Sequence, residues 1–118
     1  MNVAAMAQET GTASYYANKF EGRKTASGEI FRQDSLTAAH KTLPLGTYVR
    51  VTNLSNDSIV IVKINDRLPK SSKRCIDLSR RAANQLNFIK KGLTKVEISM
   101  IVDDPSKDEE QINMIEEN

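Results

Sequence analysis

Three polar stretches interrupt otherwise strand-forming sequence: Thr25-Ala26-Ser27-Gly28-Glu29, Ala38-Ala39-His40-Lys41 and Ile64-Asn65-Asp66-Arg67. Each carries one titratable side chain, Glu29, His40 or Asp66, at a place where the surrounding pattern does not demand one. Two carboxyl groups and an imidazole are the ordinary equipment of general acid–base catalysis, provided the fold gathers them. Singly, two of them have plain readings. Glu29 follows the turn signal Ser27-Gly28, where a solvated loop carboxylate is common, and His40 ends a short apolar run, where a lone imidazole needs partners before it can catalyse. Asp66 is harder to dismiss, because it directly follows the apolar run 59–64, and a buried strand would deliver it to a rim in a fixed position. If Arg67 pairs with it, the carboxyl is held ionised, as suits a base or a ligand. If burial dominates, it is held protonated, as suits a general acid. The sequence leaves both open.

Neighbouring residues extend this candidate site. Tyr15 and Tyr16 could line a sugar cleft, since aromatic faces stack on pyranose rings, though half-buried tyrosines in a strand are equally ordinary. Ser27 and Asn65 flank Glu29 and Asp66, and Lys41, Arg67, Lys73 and Arg74 could form a basic groove. Asp77, two residues ahead of a helix start, reads as a structural carboxylate bonding local backbone amides. The single cysteine, Cys75, reads as a small apolar packing residue. One cysteine and one histidine exclude an internal disulfide and a Cys/His zinc cluster, and no metal or other cofactor is expected.

The elements that must position these groups are mostly strands. A chain of 118 residues with 39% apolar content supports one domain and one modest core. Residues 48–53 alternate β-formers, Ser55-Asn56-Asp57 supplies a turn, and 58–64 resume as a strand apolar on both faces. Residues 95–102 alternate with period two and read as a closing strand. Shorter strands are expected at 11–16 and 36–39. One helix follows Ser79 as N-cap, with Ala82, Ala83, Leu86 and Ile89 on one face and Gly92 ending the segment. So small a sheet would expose long edges if it stayed open, which favours a closed barrel.

Charge divides the chain. From Asp103 onward seven acidic residues face one Lys, a net of −6, whereas residues 1–102 carry 16 basic and 8 acidic side chains, a net of +8. The organisation expected is therefore a disordered segment 1–10, a domain 11–102 and an acidic, disordered tail 103–118. Ala5-Met6-Ala7 resembles the small-x-small end of a secretory signal, which suggests export. No stretch approaches the ~18 apolar residues of a membrane span. The basic domain favours anionic partners.

The residues so placed resemble the rare lipoprotein A (RlpA) family of septal-ring lytic transglycosylases, built on a double-psi β-barrel. The matching stretches are Thr12-Ala13-Ser14-Tyr15-Tyr16, Lys24-Thr25-Ala26-Ser27-Gly28-Glu29, Leu36-Thr37-Ala38-Ala39-His40-Lys41-Thr42-Leu43-Pro44, Gly46-Thr47, 49–54, Ile64-Asn65-Asp66-Arg67, Pro69 and Ile76-Asp77-Leu78-Ser79. The resemblance implies a mainly β fold, a six-stranded double-psi β-barrel with one or two short helices. It implies that Glu29, His40 and Asp66 gather in one cleft with Asp66 as the main catalytic group. Tyr15, Tyr16, Ser27, Lys41, Asn65 and Arg67 then become candidate substrate contacts. The reaction implied is endolytic cleavage between N-acetylmuramic acid and N-acetylglucosamine in peptidoglycan, leaving 1,6-anhydro ends.

The chain departs from the family pattern at Tyr15, commonly tryptophan, at Tyr16-Ala17, where a glycine is expected, and at Leu68, commonly glycine. These positions bear on cleft shape. The competing expectation is a non-catalytic wall-binding module of the expansin or barwin kind, disfavoured by the presence of Glu29, His40 and Asp66 together and by an aromatic content of 5%. A nucleic-acid-binding barrel would rest on charge alone and is not expected. The expected partner is the peptidoglycan glycan strand, met by an exported monomer in the periplasm or at the cell surface.

Overall fold

A computed structural model describes residues 8–101; residues 1–7, with Ala5-Met6-Ala7, and 102–118, with the acidic tail, lie outside the described residues. Six strands, β1 (Gln8–Tyr15), β2 (Thr37–His40), β3 (Tyr48–Asn53), β4 (Ile59–Arg67), β5 (Ile76–Leu78) and β6 (Thr94–Ile101), close into a barrel in the order β1-β5-β2-β4-β3-β6. The β1–β5 and β2–β4 pairs are parallel and the others antiparallel. Among the described residues, one helix, α1 (Arg80–Gln85), and a single 3-10 turn (Asn18–Phe20) complete the elements. This is the mainly β six-stranded barrel expected.

The β3–β4 hairpin and β6 form where alternation demands, with Val49, Val51, Val60, Val62, Val96 and Ile98 turned into the core. Asp57, at φ 62°, makes the hairpin turn in the left-handed region that Asp tolerates. Buried Asn53 ties three elements together. Its Nδ2 donates to the Leu86 carbonyl at 2.7 Å, while its Oδ1 accepts from Ser55 N and Thr94 Oγ1, each at 2.9 Å.

Four elements depart from the sequence-based expectation by more than one residue. β1 begins at Gln8 rather than 11, because Gln8, Glu9 and Thr10 pair with Ser99, Ile98 and Glu97 of β6. β4 runs to Arg67 rather than ending at 64. Its polar end stays extended because it is paired in parallel with β2, Ala39 with Asp66 and His40 with Arg67, across a register shift between Ala38 and Ala39. β5 was not anticipated as a strand; it spans three residues and is wedged between β1 and β2. The helix is short. Ser79 caps it, accepting from Ala82 N at 3.3 Å, but Asn87 at φ 57° ends it well before Gly92.

Beside the main core lies a second, smaller cluster of Tyr16, Phe31, Ala39 and Leu68, with Phe20 packed against it. Leu68 is buried there, so the side chain that departs from the family pattern fills space beneath Tyr16. Ala17 sits at φ −68°, a conformation that needs no glycine.

Candidate active site

Asp66, near the end of β4, is held by three donors. Its Oδ1 accepts from the backbone N–H groups of Ala26 and Arg67, each at 2.9 Å. Its Oδ2 accepts from the Tyr16 hydroxyl at 2.5 Å. Two backbone amides leave Oδ1 little capacity to take a proton, so Oδ2 is the oxygen through which a proton can come and go. The Tyr16 ring stacks on Phe31 at 4.2 Å and meets Phe20 edge-on at 5.6 Å. Burial, reinforced by the hydrogen bond to Asp66, drives the Tyr16 phenol far above its ordinary value, so it stays a donor. Tyr16 therefore orients the carboxyl rather than presenting a face for sugar stacking. Of the two alternatives the sequence leaves open, a side-chain pairing of Arg67 with Asp66 is not formed: the guanidinium Nη1 donates to the His40 carbonyl at 3.2 Å, and Arg67 meets Asp66 through its backbone N–H.

The segment 25–29 is what presents the Ala26 amide. It folds into a tight turn in which Gly28 N donates to the Thr25 carbonyl and Thr25 N to the Glu29 carbonyl, with Gly28 at φ +92°. Ser27 N donates to the Asn65 carbonyl at 3.1 Å, which docks the turn along β4. The turn that carries Glu29 thus also touches Asp66, through the Ala26 amide. Its Oε2 receives Lys63 Nζ at 2.7 Å, and Ser27 Oγ lies 3.3 Å from Oε1. The hydrogen bond from Lys63 holds the Glu29 carboxyl below the usual range, with Asn65 and Ser27 contributing. Glu29 is thereby an ionised acceptor and not a proton donor.

The His40 ring makes no hydrogen bond to either of these carboxyl groups. His40 is buried, and its Nδ1 accepts from the backbone N–H groups of Thr42 and Leu43, each at 3.1 Å. The proton consequently sits on Nε2 and points to Glu9 Oε1 at 2.7 Å. Both ring nitrogens are thus engaged at the β2 exit and the start of β1.

Tyr15 also faces elsewhere. Its hydroxyl donates to the Ile89 carbonyl at 2.8 Å, its ring edge meets Phe88 at 5.8 Å, and Arg80 lies over it at 5.1 Å. Asp77 accepts from the Ser14 hydroxyl and lies 3.4 Å from Arg74 Nη1, so side chains hold it where local backbone amides were expected. Cys75 packs against Gly11, and burial pushes its thiol up to about 11. Lys63 and Glu9 are the functional partners that sequence reasoning passed over. Lys63 alternates within β4 toward the face that receives segment 25–29, a signal that was available; Glu9 lay in the segment read as disordered.

A depression of about 280 Å³ lies on the Glu29 side of β4, lined by Glu29, Thr37, Tyr48, Lys63 and Asn65 among others. A larger groove of about 470 Å³ beside α1, lined by Gln33, Arg80, Arg81 and Ile89 among others, contains none of the candidate residues. The chemistry follows the carboxyl groups and not the larger volume. Among the described residues no three His, Cys, Asp or Glu side chains are grouped as a metal ion requires.

A closed β-barrel with an amide-anchored carboxyl at one strand end defines the class, and a family model described as lytic transglycolase matches residues 8–98. The chain belongs to the RlpA family within that class, with its double-psi β-barrel. It is 54% identical over 91 residues to the endolytic peptidoglycan transglycosylase RlpA of Haemophilus influenzae, covering 77% of this chain and 32% of that protein. The protein of the same name from Neisseria meningitidis serogroup A is 48% identical over 101 residues, covering 86% and 42%. The chain thus spans less than half the length of these curated relatives. In fold it resembles the expansin of Clavibacter michiganensis, with a TM-score of 0.65 at 20% identity, covering 82% of this chain and 52% of that one.

Proposed function

We propose that this barrel is an endolytic lytic transglycosylase acting on peptidoglycan glycan strands, with Asp66 as the catalytic residue. The observation that carries the reading is the single exchangeable oxygen, Oδ2, on a carboxyl otherwise fixed by backbone amides. A hydrolase of the usual kind needs two carboxyl groups, one of them a proton donor, to activate water. With Asp66 as the donor, Glu29 would have to be the second carboxyl, and its oxygens are already engaged by Lys63 Nζ at 2.7 Å and Ser27 Oγ at 3.3 Å. One carboxyl suffices when the nucleophile belongs to the substrate. Protonated Asp66 gives its proton to the leaving oxygen as the bond from muramic acid C1 to that oxygen breaks. The muramic acid 6-hydroxyl then bonds to C1 and returns its proton to Asp66, so the product is a 1,6-anhydro end and no water is consumed.

In this reading Glu29, Ser27, Asn65 and the basic Lys41 and Arg67 bind and orient the sugar, while His40 and Tyr16 hold the frame. A wall substrate supports a location in the periplasm or at the cell surface. Mass spectrometry of purified sacculi after incubation with the protein tests the class: anhydro ends are expected, and reducing ends would identify a hydrolase instead. Asp66→Asn should keep glycan binding, because Tyr16 can accept from the new amide while the carbonyl keeps both backbone donors. Its turnover should fall by at least ~100-fold. Binding without any cleavage by the wild-type protein would favour the expansin-like wall-binding alternative, whose fold likeness is noted above.

A further inference from the structure

Two buried polar atoms among the described residues have no hydrogen-bond partner, Thr37 Oγ1 and Asn65 Oδ1, and both residues line the depression beside Glu29. Thr37 is 9% exposed and Asn65 4%. Leaving such groups unpaired carries a desolvation penalty that an apolar residue of the same shape would avoid, so their pairing in one place calls for a partner. Of the Asn65 amide it is the oxygen, Oδ1, that is left without a partner. The free groups are therefore one acceptor and one hydroxyl able to donate. Leu36, Ile30 and Tyr48 add apolar surface to the same lining. An acceptor, a donor and an adjoining apolar wall match a secondary amide bearing a methyl group.

We propose that this depression is the subsite for the acetamido group of an N-acetylated amino sugar, Asn65 Oδ1 accepting its N–H and Thr37 Oγ1 donating to its carbonyl, directly or through one ordered water. The inference deepens the glycan-cleaving reading and rests on it for the ligand class. The depression has the liquid volume of about nine waters at ~30 Å³ each, ample for the group and a bridging water. Both unsatisfied atoms have almost no water-accessible surface, so the ligand reaches them by displacing a lining side chain. Lys63, on a flexible four-carbon stem, is the lining group best able to move. Asp66 is not among the lining residues, so the acetamido group is gripped beside the reacting carboxyl and not by it.

Binding of N,N′,N″,N‴-tetraacetylchitotetraose and of cellotetraose, which carries a hydroxyl at the same carbon, can be compared by calorimetry with the full chain. Both probes are neutral, so the basic surface treats them alike. The wild-type protein should favour the acetylated probe by about tenfold. Thr37→Val should reduce that preference to about threefold or less while leaving the melting temperature unchanged or raised, because it removes an unsatisfied buried hydroxyl. Thr37→Ser, which keeps the hydroxyl, should retain the preference. Equal binding of both probes by the wild type overturns the proposal. So does an unchanged preference in Thr37→Val, or a fall in its melting temperature, which would mark the hydroxyl as structurally satisfied. Acetamido preference without anhydro ends from sacculi would leave the subsite standing and remove the catalytic reading.

Discussion

Replacing Tyr16 by Phe isolates one hydrogen bond to the proposed acid–base group. The phenyl ring keeps the stack on Phe31 and the edge contact with Phe20, so the small second core stays filled. What disappears is the 2.5 Å donor to Asp66 Oδ2. A hydrogen bond to a charged group contributes about 1.5–3 kcal/mol. Tyr16 is buried and its hydroxyl has this one acceptor, so the variant should lose stability within that range, as chemical denaturation reads. The two backbone donors on Oδ1 remain, so the carboxyl stays attached but Oδ2 loses the group that fixes its direction. Release of anhydro ends from sacculi should therefore fall about tenfold or more while glycan binding is kept, because each 1.36 kcal/mol lost from a positioned group is a tenfold change in rate. Wild-type stability together with wild-type turnover in the variant would refute the idea that Tyr16 holds Oδ2 in place.

His40→Ala should destabilise the fold by about 2–4 kcal/mol, since it strands the Thr42 and Leu43 amides and opens a cavity, as chemical denaturation will read. At a temperature where it stays folded, its turnover should fall far less than that of Asp66→Asn. Lys63→Met removes the main cause of the lowered Glu29 carboxyl, whose stabilisation is present above the unfolded value of 4.5 and lost as pH falls through the lower folded one. The variant's stability, measured from pH 7 downward, should therefore fall less steeply below that value, with a small change at neutral pH because the pair is exposed. Gly11→Ala would place a Cβ 2.9 Å from Cys75 Sγ and 3.0 Å from its Cβ, costing about 1–3 kcal/mol. Adding Cys75→Ala should recover part of that loss, a coupling that a double-mutant cycle measures.

The hairpin of β3 and β4, the closing strand β6 and the Ser79-capped helix were legible because alternation, turn residues and a capping serine are local signals. β5 was not, since three residues between Cys75 and Ser79 carry no period and become a strand through pairing with β1 and β2. The same holds within the site. Asp66 could be singled out from its place after an apolar strand, and the turn at Ser27-Gly28 was visible. That this turn lends Asp66 a backbone amide depends on a contact across 40 residues. His40 looked catalytic by resemblance, yet its partners are Glu9, 31 residues away, and two amides just beyond it, neither of which a pattern of side-chain types encodes. Tyr15 and Tyr16 are adjacent in β1 and its exit, and the alternation of a strand sends them to different neighbours.

The pairing of β1 with β6, Gln8 opposite Ser99 through Ala13 opposite Thr94, sets a schedule for the nascent chain. β1 finds this partner only after roughly 80 to 90 further residues have been synthesised, which puts the barrel among slow, high-contact-order folders. Until then one side of β1 presents unpaired backbone groups to any neighbouring chain. A cell that makes this protein must shelter that strand for the length of a domain's synthesis, and overproduction should fail first by aggregation through β1.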